Sequence, residues 1–468
     1  MPGRNTVPLS GRETSEILGR QASDPLKVPE RRRVFPGMLA LLARVRSRDT
    51  NAPTGSLHCY ALLAVLLTGL AVLSAATMVW GPTKKFVAAT DSSQYLHIAM
   101  SLARGKGFKD PDGLWPDRPD CGRMPAWPAV IAVGLRLAPW ASPEAVDRFS
   151  GIFCLALAGV FFAIITQFLG VRPLISVFAG LAVSLSPSLI YLAVEGMSEP
   201  AFVMMIGTAL ACMLTGGWLG AYAGAIVMGL AALNRSNTLV VVPAVVGLAL
   251  LSQKRRVWLF HSLNWARCAI LCVLAMAPSA LWVLRNYSAS GQFPVISALE
   301  GEALYGSNND VVANDLGDWG YWVVPNKIPG ETAKPVLGTV LHDDVELNDY
   351  YHHKAITWVR GHLSSIPRLE LGKFIRAFVP IPWVPLVPSY AAFFARFLLY
   401  VLASLFLPLW WRGIDRRYRL AFAAMALVHL WTTAVYYGCF RFTHCFVEIL
   451  LVPCIAVGAQ RWLADRSR

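Results

Sequence analysis

A single carboxylate stands where the chain leaves its first long apolar stretch. Asp91 is followed four residues later by Tyr95, and the apolar residues Ile98, Ala99 and Leu102 continue at helical spacing. A carboxylate in this place has two interpretations. It caps a short amphipathic helix at a membrane surface, or it serves there as a general base. The pattern alone leaves both open.

Further ionisable side chains lie at the edges of later apolar stretches. Glu195 and Glu199 flank a short turn, where carboxylates can contact the hydroxyl groups of a sugar. Arg123 precedes Pro125 and Pro128 at a junction between a loop and a helix. Its planar donors suit an anion, and the alternative is an arginine that snorkels to the membrane surface.

Two more arginines occupy comparable places. Arg235 and Arg441 each lie at one end of an apolar stretch, and His444 and Glu448 follow Arg441. Ionisable residues near membrane depth are candidates for function. The structural alternative is an ion pair between Arg441 and Glu448. The His- and Asp-rich run from residue 342 to 353 belongs to a predicted amphipathic helix over 345–365, so we expect no metal there.

The elements that position these residues are apolar helices. Of the 468 residues, 55% are hydrophobic and 15% are charged, which excludes an ordinary soluble domain. The net charge of +14 does not indicate nucleic-acid binding, because the basic residues flank apolar stretches. We predict an all-α polytopic membrane protein with about ten transmembrane helices. The predicted spans are 57–80, 148–169, 173–192, 199–215, 218–234, 237–252, 267–285, 391–411, 420–437 and 444–463.

Basic residues orient the predicted spans. With a cytoplasmic N-terminus, the strongest basic clusters, such as Lys254-Arg255-Arg256, all fall on the inner side. Residues 1–56 are then a basic, disordered cytoplasmic tail, and 464–468 are a cytoplasmic end. Two long segments, 81–147 and 286–390, lie outside, with amphipathic helices in the first. The proline-rich stretch 370–390 is predicted to lack regular helix. We therefore expect an integral protein of a bacterial inner membrane.

Several motifs, in order along residues 57–463, resemble the membrane-embedded glycosyltransferases with the GT-C fold. Within them the chain is similar to the branch of protein O-mannosyltransferases and lipid A aminoarabinose transferases. The matching motifs are Asp91, Tyr95, Ala99 and Gly105-Lys106-Gly107-Phe108, then Arg123 with Pro125 and Pro128, Ser198-Glu199-Pro200, Arg285-Asn286-Tyr287 with Gly291 and Phe293, a stretch ending in Gly306-Ser307-Asn308-Asn309, and Arg441-Phe442.

This resemblance implies a polyprenyl-phosphate-linked sugar as donor and an acceptor hydroxyl on a glycan, lipid or protein. It also implies transfer with inversion at the extracytoplasmic face, with Asp91 as general base and Glu199 as second choice or positioning group. Cationic side chains would stabilise the leaving phosphate, so we expect neither a metal nor a cofactor. The candidates for that role are Lys84, Lys85, Lys106, Arg123, Arg235 and Arg441. The candidate substrate-binding residues are Tyr95, Glu195, Asn308, Asn309 and His444.

Two other classes remain open on the sequence. A transporter or flippase for a lipid-linked substrate also needs a membrane-level cavity with charges, although such proteins often carry inverted repeats. A non-catalytic scaffold of envelope assembly is the third class. Consumption of the donor by the purified protein distinguishes the glycosyltransferase from both.

Overall fold

The computed structural model describes residues 54–80, 91–214, 217–251, 265–292, 296–332, 334–380 and 387–467, and within these ranges the chain is helical, without strands. The predicted tail 1–56 lies almost wholly outside them. The helices are α1 (Thr54–Trp80), α2 (Asp91–Ala103), α3 (Ala126–Leu137), α4 (Pro143–Phe168), α5 (Pro173–Ser184), α6 (Pro187–Val194), α7 (Glu199–Leu214), α8 (Trp218–Ala232), α9 (Val241–Leu251), α10 (Trp265–Ser290), α11 (Glu300–Gly306), α12 (Asp310–Asn314), α13 (Lys334–Val340), α14 (Asp344–Gly361), α15 (Ile366–Phe378), α16 (Val387–Leu405), α17 (Leu407–Gly413), α18 (Arg416–Val435), α19 (Phe440–Phe446) and α20 (Leu451–Arg466).

Helix α4 is the centre of the apolar bundle and packs against α1, α5 and α7. Small residues allow this close packing. A Cβ atom built on Gly159 of α4 would lie 2.7 Å from the carbonyl oxygen of Gly180 on α5. Backbones that approach so closely are typical of helix pairs in membranes, where tight van der Waals packing replaces the hydrophobic effect.

The apolar helices confirm the all-α membrane class but not the number of spans. Among the described residues, four helical segments are long and apolar enough to cross a membrane: Pro143–Phe168, Trp265–Ser290, Arg416–Val435 and Phe440–Arg466. The last of these contains α19 and α20. Two bent pairs, α5 with α6 and α16 with α17, raise the number to at most six. The predicted spans 199–215, 218–234 and 237–252 appear as apolar helices of 10–17 residues. These are shorter than the roughly 20 residues that a bilayer core requires, so ten spans are not confirmed.

The prediction that residues 370–390 lack regular helix is wrong at both ends of the stretch. Helix α15 continues to Phe378 and buries Leu369, Gly372 and Ala377 on one face, and α16 begins at Val387. Proline disfavours helical backbone at the residue before it, so Val379 is extended before Pro380 and α15 ends at Phe378, while the turns further back stay helical. Residues 381–386 lie outside the described part.

The two long segments between the apolar helices contact each other. The second, from α11 to α15, has an apolar core of its own around Tyr351 and Leu369. The backbone N–H of Cys121 in the first segment donates to Oδ2 of Asp344 at 3.0 Å, and Oγ of Ser297 in the second segment donates to the carbonyl oxygen of Gly122 at 2.5 Å. These bonds join both segments at one end of the bundle, where the ionisable residues converge.

Candidate active site

Asp91, the first residue of α2, lies between two arginines that are distant in sequence. Its carboxylate is 2.9 Å from Nη2 of Arg123 and 3.5 Å from Nη2 of Arg441. Arg123 also donates from Nε to Gln94 Oε1 at 2.7 Å, and its guanidinium lies 5.4 Å from the centre of the Tyr95 ring. The first turn of α2 therefore presents three side chains to one arginine.

A second carboxylate shares Arg441 with Asp91. Glu199 begins α7, is fully buried, and lies 2.5 Å from Nη2 of Arg235 and 3.3 Å from Nε of Arg441. The guanidinium of Arg235 also covers the Phe442 ring at 4.4 Å. Arg441 thus bridges the two carboxylates, and the five charged groups form one connected cluster.

Backbone-directed hydrogen bonds hold the supporting elements together. The indole of Trp127 on α3 donates to the carbonyl of Gly196 at 2.9 Å, which fixes α3 beside the turn before α7. The amide of Asn234 donates to the carbonyl of Ser198 at 3.0 Å and so ties the end of α8 to the same turn. Because both donors are buried, these bonds stabilise α3 and the end of α8 beside the turn before α7.

A cavity of about 230 Å³ adjoins the cluster, and its wall includes Asp91, Tyr95, Arg123, Arg235 and Arg441. Three guanidinium groups and the two carboxylates of Asp91 and Glu199 leave one net positive charge. An anionic group with a single charge would neutralise this site.

Electrostatics keep Asp91 ionised. Burial by itself would raise the pKa of Asp91, but the charges and hydrogen bonds of Arg123 and Arg441 outweigh it and lower the pKa to about 2. About 35% of the side chain is still exposed, so a ligand in the cavity can reach the carboxylate. The site therefore combines an ionised carboxylate with two arginines, Arg123 and Arg441, that can also bind an incoming anion.

Polar groups without a positive charge line another part of the cavity. Ser236 and Asn237 follow Arg235 in a 3₁₀ helix, Ser236–Val240, and Glu300 stands at the start of α11. Burial raises the pKa of Glu300, and a hydrogen bond to Ser236 partly opposes the shift. The cavity thus offers a ligand three cations in one part and hydroxyl, amide and carboxyl groups in another.

A second cavity, of about 250 Å³, shares Gly122, Arg123 and Leu299 with the first. Its wall is acidic and includes Asp120 and Asp344. Burial and the nearby charge of Asp344 raise the pKa of Asp120 to about 7. Arg123 therefore separates the cationic cavity from an acidic one.

Several residues predicted to bind substrate lie elsewhere. Lys106 is exposed, and neither Lys106 nor Glu195 is part of the wall of the 230 Å³ cavity. Asn308 accepts a hydrogen bond from Lys373 at 3.0 Å, and Asn309 accepts from two backbone N–H groups at the start of α12. These contacts give both asparagines structural roles. Lys84 and Lys85 lie outside the described residues.

His444 belongs to a buried network rather than to the cavity wall. Its Nδ1 is 2.8 Å from Glu448 Oε2, and its Nε2 is 2.7 Å from Ser186 Oγ. Glu448 is fully buried and also accepts hydrogen bonds from Arg396 at 2.6–2.9 Å. The structural alternative of an ion pair between Arg441 and Glu448 is wrong. Arg441 pairs with Asp91 and Glu199, and Glu448 pairs with Arg396.

This network predicts a large effect on stability. Glu448→Gln leaves the buried Arg396 without its counter-charge, and breaking such a pair costs about 3–5 kcal/mol. We expect a clearly lower midpoint of thermal unfolding for the purified protein in detergent. The matched variant Glu346→Gln changes a surface carboxylate that pairs with His342 at 3.0 Å, and we expect it to keep the wild-type midpoint. Equal midpoints for the two variants would refute a stabilising role.

Some residues of the site escaped the sequence interpretation. Gln94 lies one helical turn after Asp91, a spacing that places both on one face of α2. Asn234 and Asn237 flank Arg235 in a polar run between two apolar helices, and this interruption is a usable signal. Glu300 carries no local signal, since it reaches the cavity only through the packing of α11.

The histidine- and aspartate-rich run has a structural explanation. Asp343 caps α14 by accepting hydrogen bonds from the backbone N–H groups of Val345 and Glu346. In the described part of the chain, no three side chains of the usual metal-ligand types come together.

No protein-family model matches the chain, and no curated protein is significantly similar to it. Among solved structures, the chain is similar to the Archaeoglobus fulgidus oligosaccharyltransferase tethered with an acceptor peptide containing the NVT sequon. The identity is 12% and the TM-score 0.44, over 87% of this chain and 50% of that one, so the chain spans about half its length. It is also similar to ArnT from Cupriavidus metallidurans bound to undecaprenyl phosphate, at 15% identity and a TM-score of 0.35, over 88% of this chain and 80% of that one. Both are GT-C membrane glycosyltransferases, the class that the motifs resemble.

Proposed function

We propose that this protein is a membrane glycosyltransferase that moves a sugar from a polyprenyl-phosphate donor to an acceptor hydroxyl. Transfer takes place at the extracytoplasmic face, with inversion at the anomeric carbon. Asp91 is the general base, and Arg123, Arg235 and Arg441 bind the donor phosphate. Glu199 positions Arg235 and Arg441, to which it is paired.

The observation that carries this proposal is the bridging position of Arg441. Its guanidinium contacts Asp91 on one side and Glu199 on the other, beside a cavity that can admit a ligand. The single net positive charge of the cluster matches the single negative charge of a phosphodiester, as in a sugar linked to a lipid through one phosphate. A diphosphate would bring more charge than the cluster neutralises.

The reaction follows from this placement. The acceptor oxygen gives its proton to a carboxylate oxygen of Asp91 and forms a bond to the anomeric carbon. The bond from that carbon to the phosphate oxygen breaks, and its electron pair leaves with the polyprenyl phosphate. The product phosphate gains one negative charge, which the arginines stabilise.

Donor binding would also activate the base. A carboxylate with a pKa of about 2 is a weak proton acceptor at neutral pH. When a phosphate takes hydrogen bonds from Arg123 and Arg441, their stabilisation of the Asp91 charge decreases, and the proton affinity of Asp91 rises. Asp91 would therefore act as a stronger base when the donor is bound.

Turnover by the purified protein tests this proposal. The full-length chain is reconstituted in vesicles with undecaprenyl-phosphate-linked mannose, glucose, galactose or arabinose, and released polyprenyl phosphate is measured. We expect release with one of these donors, dependent on an added acceptor mixture of glycans, lipids and peptides. Supplying the donor to one leaflet of the vesicle at a time tests at which face of the membrane transfer takes place.

The alternatives predict different results. A flippase would move the lipid between leaflets without releasing polyprenyl phosphate, and a scaffold would do neither. Either outcome across all four donors would reject the proposal.

A further inference from the structure

We propose that Glu300 and Asn237 form a recognition site for the hydroxyl groups of the donor sugar, within the cavity whose arginines hold the phosphate. This inference rests on the proposed function and deepens it. It assigns substrate specificity to two residues that lie outside every motif of the family resemblance.

The packing of α11 fixes the position of Glu300. The backbone N–H of the next residue, Gly301, donates to Oδ1 of Asn348 on α14 at 2.7 Å. A Cβ atom on Gly301 would lie 2.0 Å from the carbonyl oxygen of Asn348, so only glycine allows this approach. Helix α11 is therefore held against α14, and Glu300 is held at the cavity wall.

Glu300 differs from Asp91 in its partners. In the described part of the chain it has no cationic partner, and its hydrogen bond is to the hydroxyl of Ser236. The oxygens of its carboxyl group accept hydrogen bonds, and no cation in the described residues occupies them. A sugar hydroxyl can donate to these oxygens and so matches this group.

Asn237 adds a free acceptor to the same part of the cavity. Its Nδ2 donates to Thr432 Oγ1 at 3.3 Å, and Thr432 also belongs to the wall. Its Oδ1 is buried without a hydrogen-bond partner among the described residues. An unsatisfied buried acceptor costs free energy, and a hydroxyl donor from a bound ligand would remove that cost.

The two kinds of wall correspond to the two halves of a sugar phosphate. The phosphate requires positive charge, which the arginines supply, whereas the hydroxyl groups of the sugar ring require hydrogen-bond donors and acceptors. Arg235 and Ser236 are adjacent in the chain, so the two kinds of wall meet there. A ligand that joins phosphate and sugar directly would span this junction.

Binding of matched lipids tests the inference without an acceptor. The probes are the four undecaprenyl-phosphate sugars and undecaprenyl methyl phosphate, which carries the same single charge but no sugar. We expect the wild-type protein to bind one sugar lipid about tenfold more tightly than the methyl ester, which is the worth of one or two hydrogen bonds. Glu300→Ala should reduce this preference to nearly one while leaving affinity for the methyl ester unchanged. Glu300→Gln, which keeps one of the two acceptor oxygens, should fall between.

Asn237→Ala is the second variant and should also reduce the preference for the sugar lipid. Thermal unfolding of each variant is measured first, and Asn237→Ala carries the test if Glu300→Ala does not fold. Glu346→Gln, a surface carboxylate, should behave as wild type. An unchanged preference in the folded variants, or a wild-type protein that releases polyprenyl phosphate without preferring the sugar lipid, overturns this inference alone. A wild-type protein that binds none of the lipids overturns the proposed function with it.

Discussion

The Asp91→Asn variant is expected to transfer sugar about 10²–10⁴-fold more slowly than the wild type, the usual worth of a general base. Asparagine keeps the shape of the side chain but cannot accept the acceptor proton. It also removes a negative charge 2.9 Å from Arg123 and 3.5 Å from Arg441. The variant should therefore bind undecaprenyl methyl phosphate at least as tightly as the wild type, because the arginines no longer share their charge with a carboxylate.

This split between turnover and binding separates a base from a structural residue. A merely structural Asp91 would lose binding and turnover together when replaced. The control is Asp310→Asn, which makes the same change at a side chain that is 69% exposed, and which should keep wild-type turnover. Near wild-type transfer by Asp91→Asn in the reconstituted assay would reject Asp91 as the base.

The Arg441→Gln variant is expected to lose about 10²-fold in donor affinity, because removing one partner of a buried charge network costs about 2–5 kcal/mol. The substitution removes one of three cations from the phosphate site and leaves Glu199 with Arg235 as its remaining ionic partner. We expect the loss to appear mainly in KM for the donor, with a further decrease in kcat because the leaving phosphate is less stabilised.

Arg441→Lys should recover only part of the affinity. Lysine carries the charge, but its single ammonium lacks the planar donor set with which Arg441 contacts two carboxylates at once. The matched control, Arg466→Gln, removes an exposed arginine that packs on Trp462 near the end of α20 and should leave KM unchanged. Donor affinity of Arg441→Gln within threefold of the wild type would contradict a role in phosphate binding.

The helical elements were predictable because they depend on local properties of the chain. Ten apolar stretches, the break after Leu214 and the amphipathic helix α14 follow from composition and helical spacing. Their number as membrane spans was not predictable, because several apolar stretches form helices shorter than a bilayer core. Helix α15 was not predicted, because the helix-breaking effect of the prolines from Pro380 onward was assigned to all of residues 370–390.

The sequence by itself determined the class of the protein and the residue types of its site: an all-α membrane protein with Asp91, Glu199, Arg123, Arg235 and Arg441 at the ends of apolar helices. The tertiary structure decided which of these charges meet. Arg441 lies 350 positions after Asp91, and pairing between such distant residues depends on helix packing, which no local pattern encodes. The same packing brings Glu448 to Arg396 and His444 to Ser186, and it carries Glu300 to the cavity. Buried charges require partners, and only the folded chain determines which partners are within reach.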